Sequence, residues 1–255
     1  MSLILLTNDD GVWAPGLLAL KQAMQEVGEV IVLAPDHNWS AGGHTKTMHK
    51  PLRVHETRLA DGSLALTTNG GPSDCVALAV LGVLPKRPEL VVSGINPGAN
   101  VAQDMTYSGT VAAAMEGLLS GLSAVAVSLA VTEDGAMNYP VAARFAATLA
   151  RKLLASGRAG LLLNLNVPDL PWEHLSGVEI TRLGQRVYQD VLVEREDPRG
   201  RRYYWIGGEP PTDMLEEGTD VAALAAQRVS VTPLQLDLTA YQALDELRDW
   251  QLRVG

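Results

Sequence analysis

The chain contains one cysteine, Cys75, and one phenylalanine among 255 residues, and aromatic residues make up only 5% of it. A lone cysteine cannot close an internal disulfide, so cysteine usage gives no sign of an oxidising compartment. Cys75 lies in the apolar stretch CVALAVL, where a free thiol reads as a core residue rather than a nucleophile. Long apolar runs are absent as well: none reaches the roughly 18 residues that a membrane helix requires. The opening MSLILLTNDD has a short apolar run that meets two aspartates, which reads as a buried strand and not as a signal peptide. The expectation is therefore a cytoplasmic, soluble protein without a membrane partner. Basic residues are also scarce, 20 Lys and Arg against 29 Asp and Glu, for a formal net charge of −9. That balance argues against a nucleic-acid partner, because nonspecific nucleic-acid binding relies on many cationic contacts to phosphates. A small anionic ligand would need local dipoles or a bound cation.

Several nucleotide and hydrolase signatures are missing too. There is no GxGxxG after a strand, no GxxxxGK[ST] and no GxSxG, which sets aside dinucleotide dehydrogenases, P-loop NTPases and serine hydrolases of the elbow type. His37 and His44 stand seven apart in a glycine-containing loop. That spacing does not suit a paired zinc site, and both read as loop histidines.

What the sequence does have is alternation. Residues 3–7, 29–34, 89–93, 124–129 and 161–164 are short apolar runs, and residues 15–26, 72–81, 110–119 and 141–154 between them carry apolar positions at helical spacing. This predicts a doubly wound α/β core with a mostly parallel sheet covered on both faces. Two regions break the rhythm. Residues 45–68 hold two β-rich pieces around Asp61-Gly62, which predicts a hairpin projecting from the core. After Pro168 the alternation stops, and residues 178–182, 187–193 and 202–206 read as strands of a β-rich appendage. Residues 239–252 carry Tyr241, Leu244, Leu247 and Leu252 on one face, which predicts a docking helix. The division expected is a catalytic core over 1–168 and a C-terminal region over 169–255 that serves oligomerisation, with 218–234 returning to the core.

The polar clusters fall at the ends of the expected strands: 7–11 (TNDDG), 35–44 (PDHNWSAGGH) and 93–100 (SGINPGAN). In an open parallel sheet, ligands bind beyond the carboxyl ends of the strands, near the switch point. At a strand-to-loop turn followed by Gly11, Asp9 and Asp10 can turn toward one cation. Carboxylate, hydroxyl and amide oxygens suit Mg²⁺ or Mn²⁺ rather than zinc or copper. The competing reading is that these residues only form a turn or cap. Ser108-Gly109-Thr110 runs straight into an expected helix, whose first turn can hold a phosphate without a lysine; the same residues also serve as ordinary N-caps.

Seven ordered blocks, TNDDG with APG behind it, APDxxxSAGGH, GGPSDCV, SGINPGANV, YSGTVAAAMEG, NLNVP and GTDVAALAAQRVSVTPL, resemble the SurE family of nucleotidases. The resemblance spans residues 3–234. It implies a Rossmann-like core, 5′- and 3′-nucleotidase activity on nucleoside monophosphates with some action on polyphosphate, one divalent ion such as Mg²⁺ or Mn²⁺ per subunit, and a homodimer or homotetramer. By motif it implies metal ligands at Asp9, Asp10, Ser40 and Asn96, and phosphate contacts at Ser108, Gly109 and Thr110 with Asn8, Gly43 and His44 as neighbours. Asp9 or Asp10 would act as base, or one of them as a covalent nucleophile. The rival readings are a nucleotide- or metal-binding module without turnover and a general acid phosphatase. Two departures from the family pattern, Gly71 in place of a threonine and Trp39 in place of a glutamine, bear on base preference.

Overall fold

A computed structural model describes residues 1–131 and 135–252; residues 132–134 and 253–255, the latter the end of the expected C-terminal region, lie outside the described residues. The first strand, β1 (Leu3–Thr7), is buried at every position, as its unbroken apolar run demands. Helix α1 (Pro15–Met24) follows, opened by a proline whose missing N–H costs nothing in a first turn. Next come β2 (Glu29–Pro35), β3 (Val54–Arg58), β4 (Leu64–Thr68), α2 (Pro72–Leu78), β5 (Leu90–Pro97), α3 (Gly109–Leu119), β6 (Ser123–Ala130), α4 (Tyr139–Ser156) and β7 (Leu162–Pro168). The C-terminal part contributes β8 (Val178–Ile180), β9 (Gln185–Glu196), β10 (Arg202–Met214), α5 (Asp220–Ala225), β11 (Val229–Leu234) and α6 (Leu244–Asp249).

Among the described residues a nine-stranded sheet runs in the order β3-β4-β2-β1-β5-β6-β7-β11-β8. The stretch from β4 to β7 is parallel throughout. The chain winds outward from β1 to β2 and β4, then restarts on the other side of β1 with β5. The switch point therefore lies between β1 and β5, and the crevice at their carboxyl ends is where this class of sheet binds ligands. Successive residues of β1 serve opposite layers. Ile4 and Leu6 pack with Leu20 of α1 and Ala146 of α4, whereas Leu5 packs with Val76 of α2 and Ala113 of α3. Cys75 is buried in that second layer, where loss of solvation pushes its thiol pKa up and leaves it inert.

Three expectations are refined. The hairpin forms around Asp61-Gly62, but β4 pairs in parallel with β2, so the hairpin continues the plane of the sheet instead of standing away from the core. Lys21 of α1 reaches across to it, its Nζ 2.8 Å from Asp61 Oδ2 and 2.7 Å from Ser63 Oγ. The strands expected at 187–193 and 202–206 are longer, 12 and 13 residues, because a register shift between Glu209 and Thr212 absorbs Pro210 and Pro211 within β10. The helix expected over 239–252 is a short turn Tyr241–Ala243 followed by α6, and Tyr241, Leu247, Trp250 and Leu252 on it are exposed. Residues 218–234 supply α5 and β11, and β11 pairs antiparallel with β7.

Leu5 is fully buried between β1 and the α2–α3 layer. Leu5→Ala should lower unfolding stability by about 2–5 kcal/mol, the range for a buried leucine that leaves a cavity. Urea unfolding measures it, and a loss below about 1 kcal/mol would contradict the tight packing described for this layer.

Candidate active site

The chain leaves β1 through a turn closed by Asn8, whose Nδ2 donates to Gly11 O at 3.0 Å while Gly11 N donates to Asn8 Oδ1 at 3.2 Å. Gly11 has φ +102°, a conformation that favours glycine. This turn sets Asp9 and Asp10 at the carboxyl end of β1. Asp9 is 3% exposed, and its carboxylate accepts a hydrogen bond from the Thr110 hydroxyl and faces the backbone N–H groups of Gly109 and Thr110 at the start of α3. A Cβ on Gly109 would stand 2.7 Å from Asp9 Cβ and 2.8 Å from its Oδ2, so the approach requires glycine there. Burial holds the Asp9 carboxyl above its ordinary pKa, and the Thr110 and backbone hydrogen bonds oppose that rise. Asp10 is pushed up to about 6, chiefly by burial and then by the charge of Asp9. Its Oδ2 is buried without a hydrogen-bond partner.

These two side chains form one wall of an open cleft of about 420 Å³, with Ser40 and Asn96 on it as well. The loop after β2 is fastened to β1 by Trp39 N, which donates to Asp9 O at 2.7 Å. Asn96 Nδ2 donates to Gly98 O at 2.8 Å, so the oxygen of its amide is the atom left for a ligand. Among the described residues no three His, Cys, Asp or Glu side chains gather to hold a metal ion. The donors on offer are two carboxylates plus neutral oxygens, a set that fits a hard divalent cation and not a soft one. The unpartnered Asp10 Oδ2 fits the same group, because a buried carboxylate oxygen is costly unless something positive meets it.

The expected phosphate residues divide. Ser108 lines the cleft, and its Oγ accepts from Val111 N at 3.2 Å as the N-cap of α3. Gly109 and Thr110 turn to Asp9 instead, so the positive end of α3 first stabilises a protein carboxylate. Asn8, Gly43 and His44 are not among the lining residues. Gly43 N donates to Tyr107 O at 3.1 Å, and His44 Nε2 lies 3.1 Å from Oε2 of the buried Glu116, whose Oε1 also holds Lys46 at 2.7 Å. The buried Glu116 carboxyl is thus met by both Lys46 and the His44 ring, as a buried polar group requires.

Four lining residues with polar side chains escaped the sequence reading: Asn38, Asn100, Asp104 and Tyr107. Asn38 and Asn100 lie in the flagged segments 35–44 and 93–100, and Asp104 and Tyr107 between the latter and Ser108; loop composition does not show which side chains face inward. Asn100 is held by Asn166, Ser128 and Asn164, through Asn166 Oδ1 at 2.9 Å, Ser128 Oγ at 2.8 Å and Asn164 Nδ2 at 2.7 Å. Trp39 packs on Gly71, its Cε3 3.4 Å from where a Cβ would stand, and it does not line the cleft. The two departures from the family pattern thus meet each other, the indole filling space that the glycine leaves.

Fold and site together define a doubly wound α/β protein with an acidic cleft at the switch point of its sheet. The family model described as "Survival protein SurE" matches residues 4–190. A 5'-nucleotidase SurE of Chloroflexus aggregans is 52% identical, covering 97% of this chain and 98% of the relative, and one of Herpetosiphon aurantiacus is 53% identical over 92% and 93%. The crystal structure of a SurE protein from Aquifex aeolicus superposes with TM-score 0.83 at 37% identity, covering 98% of this chain and 100% of that one. The chain belongs to the SurE family.

Asp10 yields a prediction with a definite sign. A carboxyl whose folded pKa is raised, here from 3.8 to about 6, costs stability wherever it is ionised in the fold: fully above about pH 6, and not at all below the unfolded value. In EDTA, Asp10→Asn should therefore be more stable than wild type at pH 8 by roughly 1 kcal/mol, a figure discounted for partial solvent access, and the gain should vanish by about pH 4. Thermal melts across that range test it, and an equal or lower melting temperature at pH 8 would contradict the strain assigned to this oxygen.

Proposed function

We propose that the chain is a divalent-metal-dependent phosphomonoesterase that hydrolyses nucleoside 5′- and 3′-monophosphates to nucleoside and phosphate. The observation that carries this reading is the pair Asp9 and Asp10 beside Asn96 at the switch point, with one buried carboxylate oxygen lacking a partner. The 5'-nucleotidase name of the Chloroflexus and Herpetosiphon relatives supports the substrate class.

Asp9, Asp10, Asn96 and Ser40 would hold one Mg²⁺ or Mn²⁺ ion. When bound, such an ion supplies Lewis-acid charge at the phosphoryl group and makes water more acidic. The chain itself does the positioning. Thr110 and the first turn of α3 oppose the rise that burial imposes on Asp9 and fix its carboxyl group, so the pair enters the reaction already oriented. Asn38 accepts from Ser40 N through Oδ1 at 2.7 Å, which leaves its amide N–H groups free for a phosphate oxygen; the Ser108 hydroxyl proton is free in the same way. Water attacks phosphorus as the bond to the ester oxygen breaks, and the proton released by the water passes to Asp9 or Asp10 and from there to the departing oxygen, so that nucleoside and phosphate leave. Asp104, the third aspartate of the lining, is already held by Arg186.

The reading includes assembly. The β9–β10 hairpin exposes Val191, Leu192, Trp205 and Ile206, and the C-terminal segment exposes Tyr241 and Trp250. Burying these surfaces calls for a second copy of the chain, as a homodimer or a dimer of dimers. Light scattering at micromolar concentration checks this, and a fully active monomer would refute it.

For the chemistry, chelation should abolish hydrolysis of AMP, and Mg²⁺ or Mn²⁺ but not Zn²⁺ should restore it. Nucleoside monophosphates of both isomers should exceed glucose 6-phosphate and glycerol phosphate in kcat/KM. Asp9→Asn and Asp10→Asn should each lower turnover by orders of magnitude with folding intact, whereas plain turn or cap residues would tolerate Asn, a comparable N-cap. Near wild-type hydrolysis by both variants would end the proposal.

A further inference from the structure

The residues that line the cleft include three aspartates and no lysine, arginine or histidine. A site for a phosphate dianion cannot leave all three carboxylates uncompensated, since like charges in one half-buried space repel. Asp9 has the first turn of α3, and the Asp9–Asp10 pair is the proposed cation site. Asp104 is met from outside the cleft. Its Oδ2 accepts from Arg186 Nη1 at 2.9 Å, and Arg186 Nε donates to Asp213 Oδ1 at 2.7 Å. The Arg186 and Asp104 side chains are about one-fifth exposed, well below the openness of an ordinary surface ion pair.

Arg186 is placed by the root of the hairpin. It is the second residue of β9, Asp213 is the penultimate residue of β10, and the two stand opposite each other in the ladder. Four further hydrogen bonds fasten this root to the turn Ala102–Thr106 that carries Asp104. Arg186 N donates to Gln103 Oε1 at 3.1 Å, Gln103 Nε2 donates to Arg186 O at 2.5 Å, and the buried Asp220 accepts from Ala102 N at 2.9 Å and from Gly184 N at 2.7 Å. The root of the hairpin therefore carries the guanidinium to the cleft wall.

We propose that Arg186, at the root of the β9–β10 hairpin, is a positioning residue that neutralises Asp104 and thereby ties the affinity of the cleft for phosphate to the docking of the hairpin. The inference rests on the phosphomonoesterase reading of the same cleft. A planar guanidinium bridging two carboxylates suits this task better than an ammonium, because both acids are gripped at fixed geometry.

The test uses the full chain in Mg²⁺ buffer, with two probes: steady-state AMP hydrolysis, and calorimetric titration with inorganic phosphate. Arg186→Gln should raise KM for AMP and the Kd for phosphate together by roughly tenfold, with kcat within a few-fold, because it frees a negative charge near the anion and leaves the reacting groups alone. The effect should shrink in high salt. Arg186→Lys should fall between the two. Adding Asp104→Asn to Arg186→Gln should restore phosphate affinity to near wild type, which a merely structural role for Arg186 would not allow. Unchanged KM and Kd in Arg186→Gln, or a double variant as weak as the single, would overturn the inference. Should Arg186→Gln not fold, the single Asp104→Asn decides: phosphate affinity kept or improved supports the role, and a tenfold loss refutes it. If wild type hydrolyses no AMP, the phosphomonoesterase reading falls, while phosphate titration still judges the clamp.

Discussion

The contact between the Asp9 carboxylate and the first turn of α3 determines where everything else in the site stands. A carboxylate with 3% exposure must be solvated by the protein, and Thr110, with the N–H groups of Gly109 and Thr110, does this. The approach is so close that residue 109 has no room for a side chain. Once α3 is held against the end of β1, the segment leading into it is drawn across the same opening. That segment carries Asn96, Asn100, Asp104, Tyr107 and Ser108, all of them on the cleft. A helix end that could have served as a phosphate cradle serves instead as the counter-charge of a protein ligand. The consequence is a fixed carboxylate pair whose second member, Asp10, keeps the unpaired oxygen.

Much of this was legible because the signals were local. An unbroken apolar run made β1 a buried strand, and Asp61-Gly62, with Gly62 at φ +78°, marked the hairpin turn. Asp9 and Asp10 were readable as candidates because they follow the first strand, whereas Ser40 and Asn96 joined them only through the family resemblance, and Asn96 lies within β5 near its carboxyl end. What the pattern could not carry was pairing between distant segments. Nothing in residues 54–68 announces that β4 will add to β2, and nothing in the loop at 44–46 says that His44 and Lys46 will turn to Glu116, 72 and 70 positions away. The long β9–β10 ladder was hidden for a different reason: Gly207, Gly208, Pro210 and Pro211 look like loop, and only a bulge in the pairing lets a strand absorb them. The lining residues Asn38, Asn100, Asp104 and Tyr107 were invisible as individuals because loop composition does not fix which side chains point inward.

The charge distribution favours the proposed cation independently of ligand counting. With a net charge of −9, the chain has few cations to spare; the cleft lining holds no lysine or arginine, Lys46 is engaged by Glu116, and Arg186 by Asp104 and Asp213. Asp9 and Asp10 stand side by side on the cleft wall. Bringing a phosphate dianion beside them concentrates like charge in a partly desolvated space, where screening is weaker than in bulk water. The helix end that would offset such charge is turned toward Asp9. On the proposed reading, an added cation would supply the missing positive charge, and the oxygen donors on the walls would favour a hard one.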